Sequence, residues 1–256
     1  MLDQKSSDAR IALLEEDPDL LKGLDETAAA QATAAAIVEV ISFEPGQWEP
    51  SLEAVRALYG LFVVEGLLCR DVVIEGRRAA ELIGPGDVLR PITSETLDAA
   101  VRFEIEWEIL QPTSFAVLDR EFADAVAPWP EVAAALMDRM VGRAHALAFQ
   151  LAVSHLKLVE TRLLAVLWYF ADRWGRVTPD GRVLPLRLTH GLLARVVGAR
   201  RPSVSTALGR LHERGLVDRV DNGHWLLLGE PPSELAELGD VTLPLAAEPD
   251  GLDEAH

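Results

Sequence analysis

Residues 189–229 hold the pattern that most constrains the fold: two short amphipathic segments separated by a glycine, then a hairpin pattern. Thr189 can cap a first helix that Gly198 would end. A second helix is predicted over 201–214. Two apolar segments joined by Asn-Gly at 222–223 predict a β-hairpin. The block therefore predicts a unit of two helices followed by a hairpin.

The second predicted helix has one apolar side and one small, polar, basic side. Val204, Ala207, Leu208 and Leu211 lie at i, i+3, i+4 and i+7 and should point inward. Helix, glycine turn, helix and hairpin form the layout of a winged helix-turn-helix, whose second helix enters the major groove of DNA. The residues expected to contact DNA are Thr189, His190, Arg200, Arg201, Ser203, Ser205, Thr206 and Arg210.

These residue types suit nucleic acid. Arginine can bond both acceptors of guanine or a phosphate, and hydroxyl groups can donate to phosphates or base edges. The alternative is a winged helix used only for protein contacts. The charge distribution bears on this choice, because the whole chain carries a net charge of −17. Residues 182–220 nevertheless hold eight arginines against two acids, whereas 1–154 and 231–256 are acidic. The chain is therefore predicted to turn a basic module toward DNA and keep an acidic body away from it.

A long helix is predicted before this module, over 128–158. Met137, Met140, Ala144, Leu147, Leu151, Ser154 and Leu158 follow a 3–4 spacing that favours a two-stranded seam and hence a homodimer. The alternative is an ordinary core helix. Another helix is predicted over 160–173, and a hairpin around the Pro-Asp-Gly at 179–181.

The N-terminal half changes character along its length. Residues 10–40 are predicted to be helical, with Pro18 as a breaker or a first-turn residue. Residues 58–126 hold short apolar runs between glycines, and 101–109 alternate apolar with polar residues. This pattern predicts an antiparallel sandwich or barrel, in which Glu104, Glu106 and Glu108 form one solvated face rather than a catalytic row.

Other functional classes find little support in the sequence. We find no G-x-G-x-x-G, P-loop, H-E-x-x-H or G-x-S-x-G motif, so no enzyme activity is predicted. Cys69 is the one cysteine, which excludes a disulfide framework within the chain. Its side chain is expected to be buried and inert. No apolar run is long enough to span a membrane, and no signal-peptide pattern begins the chain. A cytoplasmic location without membrane contact is expected.

The segment LTHGLLARVVGARRPSVSTALGRLHERGLV resembles the DNA-binding signature of the Crp/Fnr family of bacterial transcription regulators. ETRLLAVLWYFADRWGRV resembles the preceding helix of that family. The resemblance covers roughly 15–230 and is strongest over 155–220. It implies that Arg201, Pro202 and Thr206 read bases and that Ser203 contacts a phosphate. Pro202 and Thr206 stand where the best-known members have Glu and Arg, so a different target sequence is expected.

The resemblance also implies a sensor domain, whose ligand the sequence does not identify. Gly84-Pro-Gly-Asp87 resembles the turn before the family's cyclic-nucleotide cassette, but the Gly-Glu and Arg-Ser pairs that hold the nucleotide are not found after it. Cyclic AMP or cyclic GMP therefore stays a candidate, less favoured than no nucleotide. Arg102 is expected at the surface. His145 and His155 are expected to be ordinary histidines rather than haem or metal ligands.

Together these observations predict an α+β chain in four parts: helices and a β-roll resembling a cyclic-nucleotide-binding jelly roll (1–127), a long dimerisation helix (128–158), a winged helix-turn-helix (159–230) and an acidic flexible tail (231–256). The expected function is a sequence-specific, homodimeric transcription regulator that an effector in the roll could modulate. Double-stranded DNA and a second copy are the expected partners, with RNA polymerase as a further candidate. The alternative is a ligand sensor or protein-interaction module that does not bind DNA.

Overall fold

The computed structural model describes residues 5–51, 57–91, 102–220, 223–232 and 235. Its α-helices are α1 (Leu13–Glu16), α2 (Glu26–Ala35), α3 (Arg120–Val126), α4 (Pro130–Ser154), α5 (Val159–Trp174), α6 (His190–Val196) and α7 (Arg201–Glu213). Its strands are β1 (Lys5–Ala12), β2 (Ile37–Phe43), β3 (Gly46–Gln47), β4 (Gly60–Ile74), β5 (Arg77–Ile83), β6 (Val88–Leu89), β7 (Glu104–Leu118), β8 (Arg176–Thr178), β9 (Gly181–Leu184), β10 (Val217–Val220) and β11 (His224–Leu228).

The N-terminal half contains the expected antiparallel sheet, in the order β1-β2-β7-β4-β5, with β3 on β7 and β6 on β4. Strands β4 and β7 are the longest strands of this sheet, and they pair from Gly60 opposite Leu118 to Val73 opposite Glu104. Their register shifts near Gly66, which has a φ of 97°. A Cβ atom there would lie 2.3 Å from the Pro112 carbonyl oxygen, so this close approach of the two strands requires glycine.

The helical prediction for residues 10–40 is wrong at both of its ends. The alanine-rich centre does form α2, and the Asp25 carboxylate accepts a hydrogen bond from the Ala28 N–H as its cap. Pro18 begins a 3₁₀ turn over Pro18–Leu21. Residues 10–12 belong to β1, however, and β2 begins at Ile37. The β-branched segment after the alanines pairs with β7 and β1, and this pairing outweighs the local helical preference.

The long predicted helix is confirmed as α4, but it ends at Ser154 rather than near 158. The N–H groups of His155 and Leu156 bond to the carbonyls of Ala152 and Val153, which closes the last turn. Leu158 is extended and stands just before α5. The N-terminal half of α4 packs Val132 and Leu136 into a core that it shares with α1, α2 and α3.

The C-terminal module has the predicted helices α5, α6 and α7 and both predicted hairpins. The two hairpins join into one four-stranded sheet in the order β10-β11-β9-β8. The core of this module also includes residues of the roll, among them Leu67 and Cys69 of β4 and Ala80 and Leu82 of β5. The module is therefore packed directly on the roll. Cys69 is fully buried, and burial raises the pKa of its thiol, as an inert core cysteine requires.

Candidate DNA-binding face

A side-chain cap begins α6, and a glycine turn connects α6 to α7. The Thr189 hydroxyl accepts a hydrogen bond from the Leu192 N–H at 3.1 Å and so caps α6, as predicted. Gly198 has a φ of 62°, and the Ala199 N–H bonds to the Ala194 carbonyl. This left-handed turn ends α6 and directs the chain into α7.

The two sides of α7 separate as the sequence predicts. Val204, Ala207, Leu208 and Leu211 are buried in the core of the module. The opposite side is exposed and consists of small, hydroxyl-bearing or basic residues: Arg201, Pro202, Ser203, Ser205, Thr206 and Arg210. Arg200 is the exposed residue before the first turn, and no acidic residue stands in that turn. The free N–H groups of a helix start favour anions, so the start of α7 is suited to phosphate.

His190 connects the two helices. Its Nδ1 atom lies 2.9 Å from the Ser205 hydroxyl, so the start of α6 is held against the exposed side of α7. Burial lowers the pKa of His190, and the nearby positive charges of Arg219 and Arg201 lower it further. The neutral form of the imidazole is therefore favoured here. The lowered pKa reflects, in part, the positive potential of this face.

The four-stranded sheet β10-β11-β9-β8 contributes Arg219, which is not among the residues that the sequence predicts to contact DNA. The Arg219 guanidinium lies 4.1 Å from the ring centroid of Trp225 and donates to the Leu188 carbonyl, which also accepts the Trp225 indole N–H. This arrangement fixes Arg219 beside α6. Arg219 and Arg201 both act on His190, so Arg219 lies on the same side of the module as the start of α7. The order of the residues along the chain gave no sign of this proximity.

The eight arginines of 182–220 divide into two groups. Four lie near carboxylates: Arg182 pairs with Asp172, Arg195 with Asp71 and Glu108, Arg210 with Glu160 at 2.8 Å, and Arg214 lies 4.0 Å from Glu160. The other four have no carboxylate in ion-pair contact within the described ranges: Arg187, Arg200, Arg201 and Arg219. Arg210, which the sequence assigns to the DNA-facing set, is thus partly neutralised by Glu160.

Arg195 is the main polar link between α6 and the roll. It pairs with Asp71 of β4 and, at 3.1 Å, with Glu108 of β7. Asp71 is only 2% exposed, and burial raises its pKa while Arg195 and Arg78 oppose that shift. Glu106 likewise pairs with Arg78. The predicted solvated row of glutamates is therefore in part an ion-pair surface against which the C-terminal module packs.

Two more contacts fix the module on the roll. The Gln150 side chain of α4 donates to the carbonyls of Ala80 in β5 and Val196 in α6, at 2.5 and 2.9 Å. Asp87 accepts a hydrogen bond from Arg173 of α5 at 2.7 Å and another from the Gly84 N–H.

The glycine turn that the sequence analysis singled out is part of this second contact. Trp174 lies so close to Gly84 that a Cβ atom there would be 2.9 Å from the indole ring. The turn therefore packs against α5. This contact accounts for the glycine at position 84 and requires no bound ligand.

The predicted dimer seam of α4 is partly exposed. Met137 and Leu151 are 60% and 63% exposed, and Ala144 is also exposed. Met140, Leu147 and Ser154 are half-buried against their own chain, and Leu158 lies outside the helix. Val141, 46% exposed, and the exposed Ala148 continue the line of Met137, Ala144 and Leu151.

The roll contains a cluster of buried side chains that includes the aromatic rings of Trp48, Trp107 and Phe115. Trp48 stacks on Phe115 with ring centroids 5.2 Å apart and meets Trp107 edge-on at 5.7 Å. Residues 92–101, where the nucleotide cassette would follow the glycine turn, lie outside the described ranges, as does most of the acidic tail. Arg102 is exposed, as expected. In the part of the chain that the structure describes, no three His, Cys, Asp or Glu side chains form a metal-binding group.

An antiparallel roll, a long connecting helix and a winged helix-turn-helix, in this order, define a two-domain winged-helix protein. Residues 161–232 match the family model described as the Crp-like helix-turn-helix domain. Comparison with curated protein sequences gives no match. No helix among the described residues is long and apolar enough to cross a membrane.

Solved structures give the same fold over most of the chain. FixK2 from Bradyrhizobium japonicum has 20% identity and a TM-score of 0.59, over 78% of this chain and 96% of its own. A CooA mutant from Carboxydothermus hydrogenoformans has 19% identity and a TM-score of 0.58, over 91% and 97%. A CRP-family transcriptional regulator from Thermus thermophilus has 19% identity and a TM-score of 0.52, over 77% and 93%. The chain therefore shares the fold of these Crp/FNR-type structures and contains a Crp-like helix-turn-helix domain at 161–232.

Proposed function

We propose that this protein is a homodimeric transcription regulator that binds a specific DNA sequence through α7. The observation that carries the proposal is the exposed side of α7, which combines Arg201 with the hydroxyl groups of Ser203, Ser205 and Thr206 and bears no acid in its first turn. A protein-contact helix would need exposed apolar anchors, and this face has none beyond Pro202. The Thermus relative, named as a transcriptional regulator, supports the same function.

Within this face the proposed roles differ. Arg201, Pro202 and Thr206 stand at the base-reading positions, and Ser203, Ser205 and Arg200 are placed for phosphates. Thr189 and His190 lie at the start of α6, where the first helix crosses the DNA backbone. The Thr206 hydroxyl donates to the Pro202 carbonyl at 3.2 Å, so Thr206 would read a base mainly through its methyl group or its oxygen as an acceptor. Arg210 contributes less than Arg201 because Glu160 already binds it.

The first test is DNA binding itself. An operator selected from genome-wide mapping of bound DNA should bind far more tightly than random duplex, and both affinities should fall steeply with salt. Arg201→Ala should weaken binding to the operator by about 1–3 kcal/mol while changing random-duplex binding little. Arg10→Ala is the matched control, because it removes one exposed arginine from β1. Absence of any salt-dependent DNA binding would favour the alternative of a protein-interaction module.

The dimer is proposed to form through the exposed line on α4, namely Met137, Val141, Ala144, Ala148 and Leu151. These residues alternate by four and three positions, the spacing of a two-stranded seam. The α4 helix is about 37 Å long at 1.5 Å per residue, enough for such a contact. A two-fold axis along it would present one α7 to each half-site of a palindromic operator.

Leu151→Glu tests this seam, because two carboxylates would then face each other across the axis. We expect the dimer dissociation constant to rise at least 100-fold by analytical ultracentrifugation, with the helical content unchanged. Leu158→Glu is the matched control: Leu158 is as exposed as Leu151 but lies outside the helix. Equal effects of the two substitutions, or no effect of either, would contradict the proposed seam.

Modulation by an effector is the least constrained part of the proposal. The aromatic interior of the roll favours a roll filled by its own side chains over one that holds a nucleotide. Neither cyclic AMP nor cyclic GMP should therefore shift the thermal unfolding midpoint. A ligand present at 100 times its Kd would stabilise the folded state by about 2.7 kcal/mol, so binding would be readily seen.

A further inference from the structure

Four arginines of the C-terminal module have no carboxylate partner among the described residues, and two of them, Arg201 and Arg219, both lie near His190. Arg187, Arg200, Arg201 and Arg219 are exposed, and within the described ranges no carboxylate forms an ion pair with any of them. Each of the other arginines of 182–220 has a carboxylate within 4.0 Å. In a chain with a net charge of −17, four exposed arginines that meet no carboxylate among the described residues favour the binding of an acidic segment.

Such a segment begins on the module itself. After β11 the chain runs to Leu235, which packs against the core of the module and whose N–H bonds to the Pro232 carbonyl. The 21 residues that follow, 236–256, contain six acidic residues and neither lysine nor arginine. The segment therefore starts from the module that carries the four arginines without a carboxylate partner among the described residues.

The length of the segment allows it to reach them. Twenty-one residues span at most about 70 Å when fully extended. A module of the size of 161–232 has a radius of gyration of about 11 Å, so every point of its surface lies within reach. Tethering also gives the segment an effective concentration of the order of millimolar at that surface.

We propose that residues 236–256 bind the surface formed by Arg187, Arg200, Arg201 and Arg219 and compete there with DNA phosphates. The inference rests on the proposed function, because it assigns a competitor to the same face. Binding to random DNA is almost entirely electrostatic, whereas operator binding adds base contacts. The segment therefore weakens random binding more than operator binding and raises the discrimination between them.

The experiment compares the full chain with a chain that ends at Leu235 and with a full-length chain whose tail acids are neutralised. The neutralised chain carries Glu237→Gln, Asp240→Asn, Glu248→Gln, Asp250→Asn, Asp253→Asn and Glu254→Gln. In fluorescence anisotropy at about 50 mM salt, both altered chains should bind random duplex about 10-fold more tightly than the full chain. The gain should shrink towards 200 mM salt and be smaller for the operator.

A matched control separates local binding of the tail from net charge. Six exposed acids far from the module are neutralised instead, at Glu15, Glu16, Glu26, Glu39, Asp124 and Asp138. This control should change random-duplex affinity less than two-fold. An equal gain in the control would overturn the proposal, and so would identical affinities of the full and shortened chains.

A second measurement needs no DNA and so distinguishes the two proposals. A labelled peptide of residues 236–256 should bind the shortened chain at low salt, and Arg201→Ala with Arg219→Ala should weaken that binding several-fold. If the peptide binds but no chain binds DNA, the proposed function fails and the tail contact stands. If the chains bind DNA but the peptide does not bind, the tail proposal fails alone.

Discussion

The C-terminal module presents two arginine-bearing surfaces that differ in what surrounds them. On the surface against the roll, Arg195 and Arg173 meet the buried carboxylates of Asp71 and Asp87. On the solvent side, Arg187 and Arg201 meet no carboxylate among the residues that the structure describes. The same side chain is thus structural in one place and available to an anion in the other. Burial and partners, not residue type, distinguish the two sets.

The paired surface is also the route by which a change in the roll could reach α7. The paired surface fixes α5 and α6 on β4 and β7 and on the turn after β5, so a change in the roll can reach α7 through those contacts. Gln150 adds a link from α4 to both parts. A displacement of the roll relative to α4 would therefore move the module as a body and alter the spacing of the two α7 helices in the proposed dimer.

The largest expected effect comes from breaking the paired surface. Arg195→Met keeps the apolar stem but leaves the buried Asp71 carboxylate without its main partner, so the free energy of unfolding should fall by about 3 kcal/mol. Urea denaturation measures this loss. Adding Asp71→Asn should recover most of it, since the uncompensated charge is then gone. A loss below about 0.5 kcal/mol in the single variant would show that the contact is not a stabilising link.

That buried pair also marks what the sequence could not predict. Asp71 and Arg195 are 124 positions apart, and nothing local to either signals the contact. The strand at 37–43 was missed for the same reason, since its partners in β7 lie about 75 residues away. Pairing over such distances is decided by tertiary packing, which single-sequence patterns do not contain.

The exposed face of α7 was predictable because its signals are local. The Thr189 cap, the Gly198 turn and the i, i+3, i+4, i+7 spacing of Val204 to Leu211 each act within one or two helical turns, and each is confirmed. The partner of Arg210 was not predictable, because Glu160 comes from another helix. Helix periodicity also predicted α4 but extended it by four residues, since its end depends on how the chain turns into α5.

A smaller effect is expected on the open surface. Arg187→Ala removes an exposed guanidinium with no carboxylate partner in the described ranges, so stability should change by less than about 0.5 kcal/mol. Its loss should weaken binding to operator and random duplex by equal factors and reduce the slope of log affinity against log salt by about 1. A loss confined to the operator would instead assign Arg187 to base reading.

The smallest effect is a shift in a titration. His190 has a pKa below its ordinary 6.5, first from burial and then from the charges of Arg219 and Arg201. Arg219→Gln should raise the pKa of His190 in an NMR titration without restoring 6.5, because burial remains. Arg10→Gln, the distant control, should leave it unchanged.

The sign of the accompanying stability effect follows from linkage. Because the folded pKa of His190 lies below the unfolded value, the unfolded chain takes up the proton first as the pH falls through about 6.5. The free energy of unfolding should therefore fall as the pH drops from about 6.5 to the folded pKa of His190. The Arg219→Gln variant should lose less free energy of unfolding, since its folded and unfolded pKa values lie closer together. An unchanged His190 titration in Arg219→Gln would mean that the open surface lacks the positive potential that separates it from the paired one.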